Sequence, residues 1–310
     1  MPMDPEVVAG IEADGRFTLG ERGPEPTLEL LAEMRAMPPR VPYDPVPPPG
    51  VEREERELAG VPVRIYRPAP PPARPAAALV WLHGGGLIMG SHDQDQPFLD
   101  RLVAATGCVA VSVAYRLAPE TPYPGALDDA FAVLRGVRDD APALGVDPDR
   151  IAVGGSSAGA GLAAACALRA RDEGPALVHQ HLVYPMLDDR QVTVSSRWDL
   201  LAIWPREMNA FAWRQYLGPR YGTDDVPAYA APARAEDLAG LPPAYLHVGG
   251  LDGFLHENLD YAARLAAAGV PVELHVFPDV PHAFDVVAPE AAVSRRATAL
   301  SDAALARVLS

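Results

Sequence analysis

The chain contains no lysine, and all 26 of its basic residues are arginine. A Schiff-base mechanism needs a lysine amine, and a Walker-type phosphate loop needs a lysine that reaches the phosphates. The absence of lysine therefore excludes both kinds of chemistry, including the covalent link to pyridoxal phosphate.

Cysteine and long apolar runs are also scarce. The two cysteines, Cys108 and Cys166, lie in apolar stretches typical of buried free thiols. No uninterrupted apolar run reaches the ~18 residues that a transmembrane helix needs. The amino terminus lacks the basic and apolar regions of a secretory signal. We therefore expect a cytoplasmic protein without a membrane anchor.

Positive charge is outnumbered by negative charge, and the formal net charge is −15. Nucleic acids and anionic lipid surfaces repel such a chain at long range, so we exclude both as partners. What the chain does have is length and apolar content. Its 310 residues, 49% of them hydrophobic, suit a folded domain with a large core.

Beyond residue 50, short apolar runs alternate with helical stretches. The runs 51–58 and 61–67, separated by Ala59 and Gly60, predict a hairpin at a sheet edge. The other predicted strands are 77–83, 108–113, 151–155, 178–184, 245–249 and 272–277, and the predicted helices are 97–106, 125–138, 158–171 and 255–268. This alternation predicts an α/β fold with a mostly parallel central sheet and helices on both faces, whose sites form at the carboxyl ends of strands.

We predict a single domain over residues 1–310. Its first segment combines a helix around 26–35 with a stiff connector at 38–49, where seven of twelve residues are proline. A second segment, 188–225, interrupts the alternation, has a helix-like centre at 205–217 and holds three of the four tryptophans. It is either a surface helix docked on the sheet through its aromatic residues or a lid that lines an apolar pocket, and the two interpretations are compatible.

A turn of small residues, Gly155-Ser156-Ser157-Ala158-Gly159, stands between a predicted strand and an alanine-rich helix. G-x-S-x-G in that context is typical of a nucleophile elbow, which exposes the central serine. Ser157 is then the candidate nucleophile. The alternative is that small residues simply let the helix pack closely on the strand.

A second glycine-rich stretch, His83-Gly84-Gly85-Gly86, follows the strand predicted at 77–83. Glycines at the end of a strand let main-chain N–H groups face a bound carbonyl oxygen without obstruction. A flexible turn is the alternative for this stretch alone. Its occurrence together with an elbow favours an oxyanion-binding loop.

Serine hydrolysis also needs a base and an acid. Of the eight histidines, His282 stands in a loop just past the last predicted strand, where catalytic groups concentrate. Asp252 follows the preceding strand, although capping the next helix is its alternative role. Asp279 and Glu257 are the fallback acids. The chain order Ser157, Asp252, His282 is that of α/β-hydrolases and differs from the chymotrypsin and subtilisin orders.

One pair of histidines, His179 and His181, alternates on a strand face, which is compatible with two metal ligands. A zinc site needs three or four ligands, and no third one is obvious here. We therefore expect no metal and no cofactor.

These motifs resemble the bacterial hormone-sensitive-lipase-like (family IV) carboxylesterases of the α/β-hydrolase superfamily. The matching stretches lie within residues 80–285 and are His83 to Gly86, Tyr115 to Glu120, the elbow at Ser157, Tyr184 to Asp188, Asp252 with Glu257, and Pro281 to Phe284. The resemblance implies the α/β-hydrolase fold and a triad of Ser157, Asp252 and His282. It also implies oxyanion N–H groups from Gly84, Gly85 and Ala158, a cap formed by residues 1 to about 45 and 188 to about 225, and a tendency to form homodimers.

Two positions depart from the family pattern. Ser156 stands where many members carry an acid or threonine, and Gly253 stands where many have proline. The hydroxyl of Ser156 is chemically close to the threonine type, so we expect the elbow to form. These two departures leave open which substrate shape the protein favours.

We therefore predict a carboxylic ester hydrolase that forms an acyl-enzyme on Ser157. A pocket wall of Trp204, Phe211 and Trp213 would favour small to medium-sized soluble esters. Two alternatives stay open: a non-hydrolytic small-molecule binding protein on the same fold, and a hydrolase of amides, lactones or carbamates.

Overall fold

The computed structural model describes residues 2–16, 19, 23–39, 43–198 and 203–310. The strands are β1 Val51–Leu58, β2 Val61–Pro68, β3 Ala76–Leu82, β4 Val109–Val113, β5 Val146–Ser156, β6 His179–Val183, β7 Ala244–Gly249 and β8 Val272–Phe277. The helices are α1 Pro5–Asp14, α2 Leu28–Ala36, α3 Gln96–Thr106, α4 Gly125–Asp139, α5 Ala141–Leu144, α6 Ala158–Glu173, α7 Arg206–Leu217, α8 Leu255–Ala267, α9 Phe284–Val287 and α10 Ala292–Leu309. Short 3-10 helices lie at Ser195–Arg197, Gly218–Arg220 and Pro232–Arg234.

The strands form one eight-stranded sheet in the order β1-β2-β4-β3-β5-β6-β7-β8. β1 and β2 form the predicted hairpin at the sheet edge, with Leu58 opposite Val61, and β2 pairs with β4 in the antiparallel sense. Every other neighbouring pair is parallel. The predicted α/β fold with a mostly parallel central sheet is confirmed.

Strand β3 shows why the central runs are apolar throughout. Its side chains alternate between two cores, one on each face of the sheet, and all seven of its residues are buried. One core contains residues of α4 and α6, and the other contains residues of α3 and α10. A strand covered on both faces has no polar side, which explains the continuous apolar pattern.

The strand–helix pattern missed four helices: α1, α10 and the four-residue helices α5 and α9. The carboxyl-terminal helix α10 runs for 18 residues and buries small and apolar side chains such as Ala297 and Leu305. Helix α1 buries Val7 and Ile11 in a separate cluster with residues of α9. Neither α1 nor α10 stands between two strands, so the alternation gave no signal for them.

Parts of the two predicted cap elements lie outside the described residues, namely 1, 17, 18, 20–22 and 40–42 in the first and 199–202 in the second. The described part of the first cap element contacts the sheet domain through Arg35. Its guanidinium donates hydrogen bonds of 2.7 Å to the carbonyl oxygens of Ile88 and Ala118. Within the described ranges, no helix combines the length and apolar character needed to cross a bilayer.

We predict that Asp100→Ala destabilises the fold strongly. Arg53 of β1 donates from Nε to Asp100 of α3 at 2.9 Å, and both side chains are less than a tenth exposed. Removing the carboxylate leaves a buried guanidinium without its ion-pair partner and, among the described residues, with a hydrogen bond only to the neutral carbonyl oxygen of Asp44, which costs about 3–5 kcal/mol of unfolding free energy. Chemical denaturation followed by circular dichroism measures this loss. Glu173→Ala, which removes an exposed partner of Arg169, is the control and should cost less than about 1 kcal/mol.

Candidate active site

The predicted functional groups follow four strands that are parallel to one another. The glycine loop follows β3, the elbow follows β5, and the candidate acid and base follow β7 and β8. Leu82 at the end of β3 lies opposite Gly155 of β5, so the glycine loop and the elbow begin side by side. Parallel strands deliver their carboxyl ends to one edge of the sheet, and the candidate residues meet there.

The elbow depends on two glycines that leave no room for a side chain. A Cβ atom on Gly155 would lie 2.5 Å from the carbonyl oxygen of Leu82, and one on Gly159 would lie 2.0 Å from the same oxygen. Ser157 between them has φ 55° and ψ −119°, which is strained for a residue with a side chain. The close approach of α6 to β3 therefore fixes a sharp turn with the serine at its tip.

Ser157, His282 and Asp252 form one hydrogen-bonded chain. His282 Nε2 lies 2.9 Å from Ser157 Oγ, and His282 Nδ1 lies 2.8 Å from Asp252 Oδ2. All three residues are buried, with exposures of 8% for the serine, 6% for the histidine and 1% for the aspartate. The structure thus brings together the three residues predicted from the sequence.

The loops that carry the acid and the base are bonded to each other through their backbones. Gly250 N donates to Phe277 O at 2.6 Å, and Leu251 N donates to Val280 O at 2.9 Å. Gly249 allows this contact, since a Cβ atom there would lie 2.4 Å from Val280 O. Sequence reasoning missed this glycine, although it closes a strand directly before the acid loop.

The two fallback acids lie elsewhere. Asp279 is exposed at the surface. Glu257 is buried, and its Oε1 accepts hydrogen bonds from the backbone N–H groups of Leu187 and Asp188 at 2.7 and 3.3 Å. Burial holds the pKa of Glu257 well above its usual range. Asp252 is therefore the acid of this set that contacts His282.

The glycine loop lies directly against the elbow. A Cβ atom on Gly84 would come within 3.4 Å of Ser157 Cβ. Gly85, at φ 117°, adopts a backbone conformation that favours glycine. Among the described residues, the backbone N–H groups of Gly84, Gly85 and Ala158 donate to no other group. Three donors next to one serine are what an oxyanion site requires.

His83 and Tyr115 hold the start of this loop. Their rings stack with centroids 4.2 Å apart, and Tyr115 OH donates to His83 O at 2.7 Å. Burial lowers the pKa of His83 to about 4, so this histidine is neutral in the folded protein. The resemblance marked Tyr115 to Glu120 as a matching stretch, and its tyrosine supports the loop.

A cavity of about 1740 Å³ opens onto the serine and histidine, with Trp204 and Phe211 on its wall. The Trp204 ring lies against Gly86, where an added Cβ atom would approach it to 2.5 Å. Trp213, which the sequence also placed on the pocket wall, is 1% exposed and packs in the core beside Tyr216. The number of aromatic residues in this segment does not show that Phe211 and Trp213 occupy different faces of α7.

Two acids that sequence reasoning missed also line this cavity. Burial raises the pKa of Asp95 to about 6, and the nearby charge of Asp285 adds to the effect. Burial also raises the pKa of Asp285, against a lowering effect of its hydrogen bond from Tyr184. The two acids stand far apart in the chain, so no motif connected them.

Among the described residues, we consider two groups of side chains with metal-ligand chemistry. His179 Nε2 lies 3.4 Å from His181 Nδ1, and the other ring nitrogen of His181 lies 2.8 Å from Ser301 Oγ. The second group lies near the surface and consists of Glu55, His92 and Asp93. Arg64 forms ion pairs with both acids of that group, so one of their two negative charges is already balanced.

Comparison with known proteins places this geometry in a family. A family profile described as alpha/beta hydrolase fold matches residues 79–286. Carboxylesterase NlhH of Mycobacterium tuberculosis is 39% identical over 291 residues, covering 91% of this chain and 85% of that protein. Esterase LipI of the same organism is 42% identical over 216 residues, covering 68% of this chain and 67% of that protein. Among solved structures, a bacterial heroin esterase matches with a TM-score of 0.87 and 38% identity, covering 100% of this chain and 98% of that one.

The matched stretch contains the glycine loop, the elbow, the acid and the base described above. The relatives and the structure named here are all esterases or carboxylesterases. The chain therefore belongs to the alpha/beta hydrolase fold family, in its hormone-sensitive-lipase-like branch, and is a carboxylic ester hydrolase.

Proposed function

We propose that this enzyme hydrolyses small to medium-sized soluble esters through a covalent acyl-enzyme on Ser157. The observation that carries the proposal is the hydrogen-bonded chain from Ser157 through His282 to Asp252, with contacts of 2.9 and 2.8 Å. Both contacts have the lengths that proton transfer and ring orientation require. The burial of all three residues supports the same conclusion, since it shields their hydrogen bonds from competing water.

In the acylation step, Ser157 Oγ attacks the ester carbonyl carbon and its proton passes to His282 Nε2. The electron pair of the C=O bond moves to oxygen, and the N–H groups of Gly84, Gly85 and Ala158 stabilise the oxyanion. The C=O bond then re-forms while the bond to the alcohol oxygen breaks. His282 gives its proton to that oxygen, so the alcohol leaves neutral and the acyl group stays on the serine.

In the deacylation step, a water molecule takes the place of the alcohol. His282 accepts one of its protons while the water oxygen attacks the acyl carbon. The tetrahedral intermediate then collapses to release the acid, and the proton returns to Ser157 Oγ. Asp252 accepts the hydrogen bond from Nδ1–H throughout, which orients the ring and stabilises the imidazolium without taking the proton.

Substrate size follows from the space beside the serine. The whole cavity, at about 1740 Å³, exceeds the ~300–1,000 Å³ usual for small-molecule pockets. Near the glycine loop, however, the Trp204 ring lies against Gly86 and closes the space. We infer that Trp204 and Phe211 limit the acyl chain, while the rest of the cavity holds other parts of the substrate.

The nucleophile is tested by Ser157→Ala. This change should lower kcat for p-nitrophenyl acetate by about 10⁴-fold or more, because the attacking atom is removed while the oxyanion donors remain. Ser156→Ala is the matched control and should keep kcat within about tenfold. Thermal unfolding of both variants checks that the fold is intact. Turnover retained without Ser157 and lost without Ser156 would contradict the proposal.

The acid is tested by Asp252→Asn against Asp279→Asn. The first change removes the charge that orients and stabilises the His282 imidazolium, so kcat should fall about 10⁴-fold. The second removes an exposed carboxylate three residues from the same histidine, and kcat should stay close to that of the wild type. Steady-state kinetics with p-nitrophenyl acetate measures both. The reverse order of effects would assign the acid to Asp279.

The pocket wall is tested with p-nitrophenyl esters of increasing acyl length. Trp204→Ala and Phe211→Ala should each move the optimum by at least about two carbons toward longer chains, because each removes a large ring from the wall. Trp213→Phe changes a core residue of α7, the helix that carries Phe211, and should leave the optimum in place. The matching p-nitroanilides belong in the panel, since faster cleavage of the amide than of the ester would favour the amidase alternative.

A further inference from the structure

Part of the cavity is lined by acidic and aromatic side chains that the hydrolytic steps do not use. We call this part the acidic lobe, and its residues are Trp81, Asp95, Phe98, Tyr184, His247 and Asp285. The lobe adjoins the catalytic base, because the Tyr184 ring packs edge-on against His282 with centroids 4.7 Å apart. Because the lobe and Ser157 line one cavity, a single molecule can occupy the lobe and reach the serine.

The two acids of the lobe have neutral partners. Asp95 Oδ2 accepts a hydrogen bond from Trp81 Nε1 at 2.7 Å, and Asp285 Oδ1 accepts one from Tyr184 OH at 3.1 Å. Within the described part of the chain, no arginine forms an ion pair with either carboxylate. Arg101, which also lines the cavity, is paired with Asp302 at 2.9 Å. Neither carboxylate of the lobe thus has an arginine as an ion-pair partner among the described residues.

This charge is costly, because both carboxylates are only partly exposed to solvent and the two acids repel each other. Both effects raise the pKa of Asp95 to about 6, with burial the larger of the two. Burial raises the pKa of Asp285 in the same direction. A positive charge placed between the two carboxylates would relieve both effects.

A buried nitrogen independently points to a ligand in the lobe. His247 is 1% exposed and lies on the cavity wall. Its Nδ1 lies 3.2 Å from Tyr245 OH, whereas its Nε2 has no hydrogen-bond partner among the described residues. Burial lowers the pKa of His247 to about 3, so the ring is neutral, and its Nε2 accepts a hydrogen bond in the tautomer whose Nδ1–H donates to Tyr245 OH. Unpartnered buried polar atoms are rare, and a bound ligand would satisfy this one.

The aromatic residues of the lobe define what kind of cation fits. Trp81 and Phe98 pack with ring centroids 4.6 Å apart and line the cavity beside Asp95, and the Arg101 guanidinium lies over the Phe98 ring at 5.7 Å from its centroid. Aromatic faces attract ammonium groups, including alkylated ones. Calcium and magnesium prefer six or more oxygen ligands, which two carboxylates and aromatic carbon do not supply. The lobe is therefore suited to an organic cation.

We propose that the acidic lobe binds a substituted ammonium group carried by the ester substrate. This inference rests on the proposed function, because the ammonium group must belong to a molecule whose ester reaches Ser157. Asp95 and Asp285 supply the charge, the rings of Trp81 and Phe98 supply the apolar contact, and His247 Nε2 accepts a hydrogen bond where the cation carries N–H.

The test compares two thioesters of the same shape, acetylthiocholine and 3,3-dimethylbutyl thioacetate, in which carbon replaces the charged nitrogen. The measured quantity is the ratio of kcat/KM for the cation to kcat/KM for its neutral isostere. The wild type should prefer the cation by at least about tenfold. Asp95→Asn and Asp285→Asn should each reduce this ratio several-fold, and the double variant should bring it close to one.

Asp279→Asn is the matched control, because it removes one negative charge from the surface near the site. The ratio of kcat/KM values for this variant should equal that of the wild type. This result would separate the effect of the lobe's two acids from the effect of the net negative charge of the chain. A binding measurement needs no variant: benzyltrimethylammonium should inhibit hydrolysis of p-nitrophenyl acetate competitively with an inhibition constant below about 1 mM.

Equal kcat/KM values for the two thioesters in the wild type, together with no inhibition by benzyltrimethylammonium, would overturn the proposal. A ratio that survives in both asparagine variants would also overturn it. These outcomes differ from a failure of the proposed function, in which p-nitrophenyl acetate itself is not hydrolysed or is still hydrolysed by Ser157→Ala.

Discussion

The close approach of helix α6 to the end of strand β3 is the contact on which the rest of the site depends. Gly155 and Gly159 permit it, because a side chain on either would collide with the carbonyl oxygen of Leu82. Ser157 is held at φ 55° as a result, at a cost of about 1–3 kcal/mol that the surrounding sheet and the buried helix offset. The nucleophile and the oxyanion loop after β3 are thereby fixed to one rigid corner.

The acid and the base are fixed by a different device. Backbone hydrogen bonds from Gly250 and Leu251 join the loop after β7 to the loop after β8. Asp252 and His282 therefore keep their relative position without help from the substrate. Catalysis by positioned groups gains most when the geometry exists before the reaction begins. Two independent restraints, the glycine corner and the paired loops, meet at the 2.9 Å contact between His282 and Ser157.

Tyr184 connects this catalytic centre to the acidic lobe. Its backbone has φ 37°, its ring packs against His282, and its hydroxyl donates to Asp285. The same residue therefore touches the base that acts on the ester and an acid of the lobe proposed for the ammonium group. Recognition of a remote substrate group can then contribute to alignment of the ester at the serine. These acids make sense as recognition groups, because within the described part of the chain they accept hydrogen bonds from neutral donors and form no ion pair with an arginine.

The sequence by itself determined the strand–helix alternation, the elbow, the glycine loop and the order of serine, acid and base. These features depend on neighbouring residues, since a strand period, a helix start or a turn that needs glycine is a local property of the backbone. Helices α1 and α10, the core position of Trp213 and the acidic lobe were decided by tertiary structure alone. Asp95 lies between β3 and α3, His247 lies within β7, and Asp285 lies in α9 after β8. No local sequence pattern marks these three residues as partners. Cavity walls form where side chains from distant elements meet, so only the folded arrangement of the sheet brings these residues together.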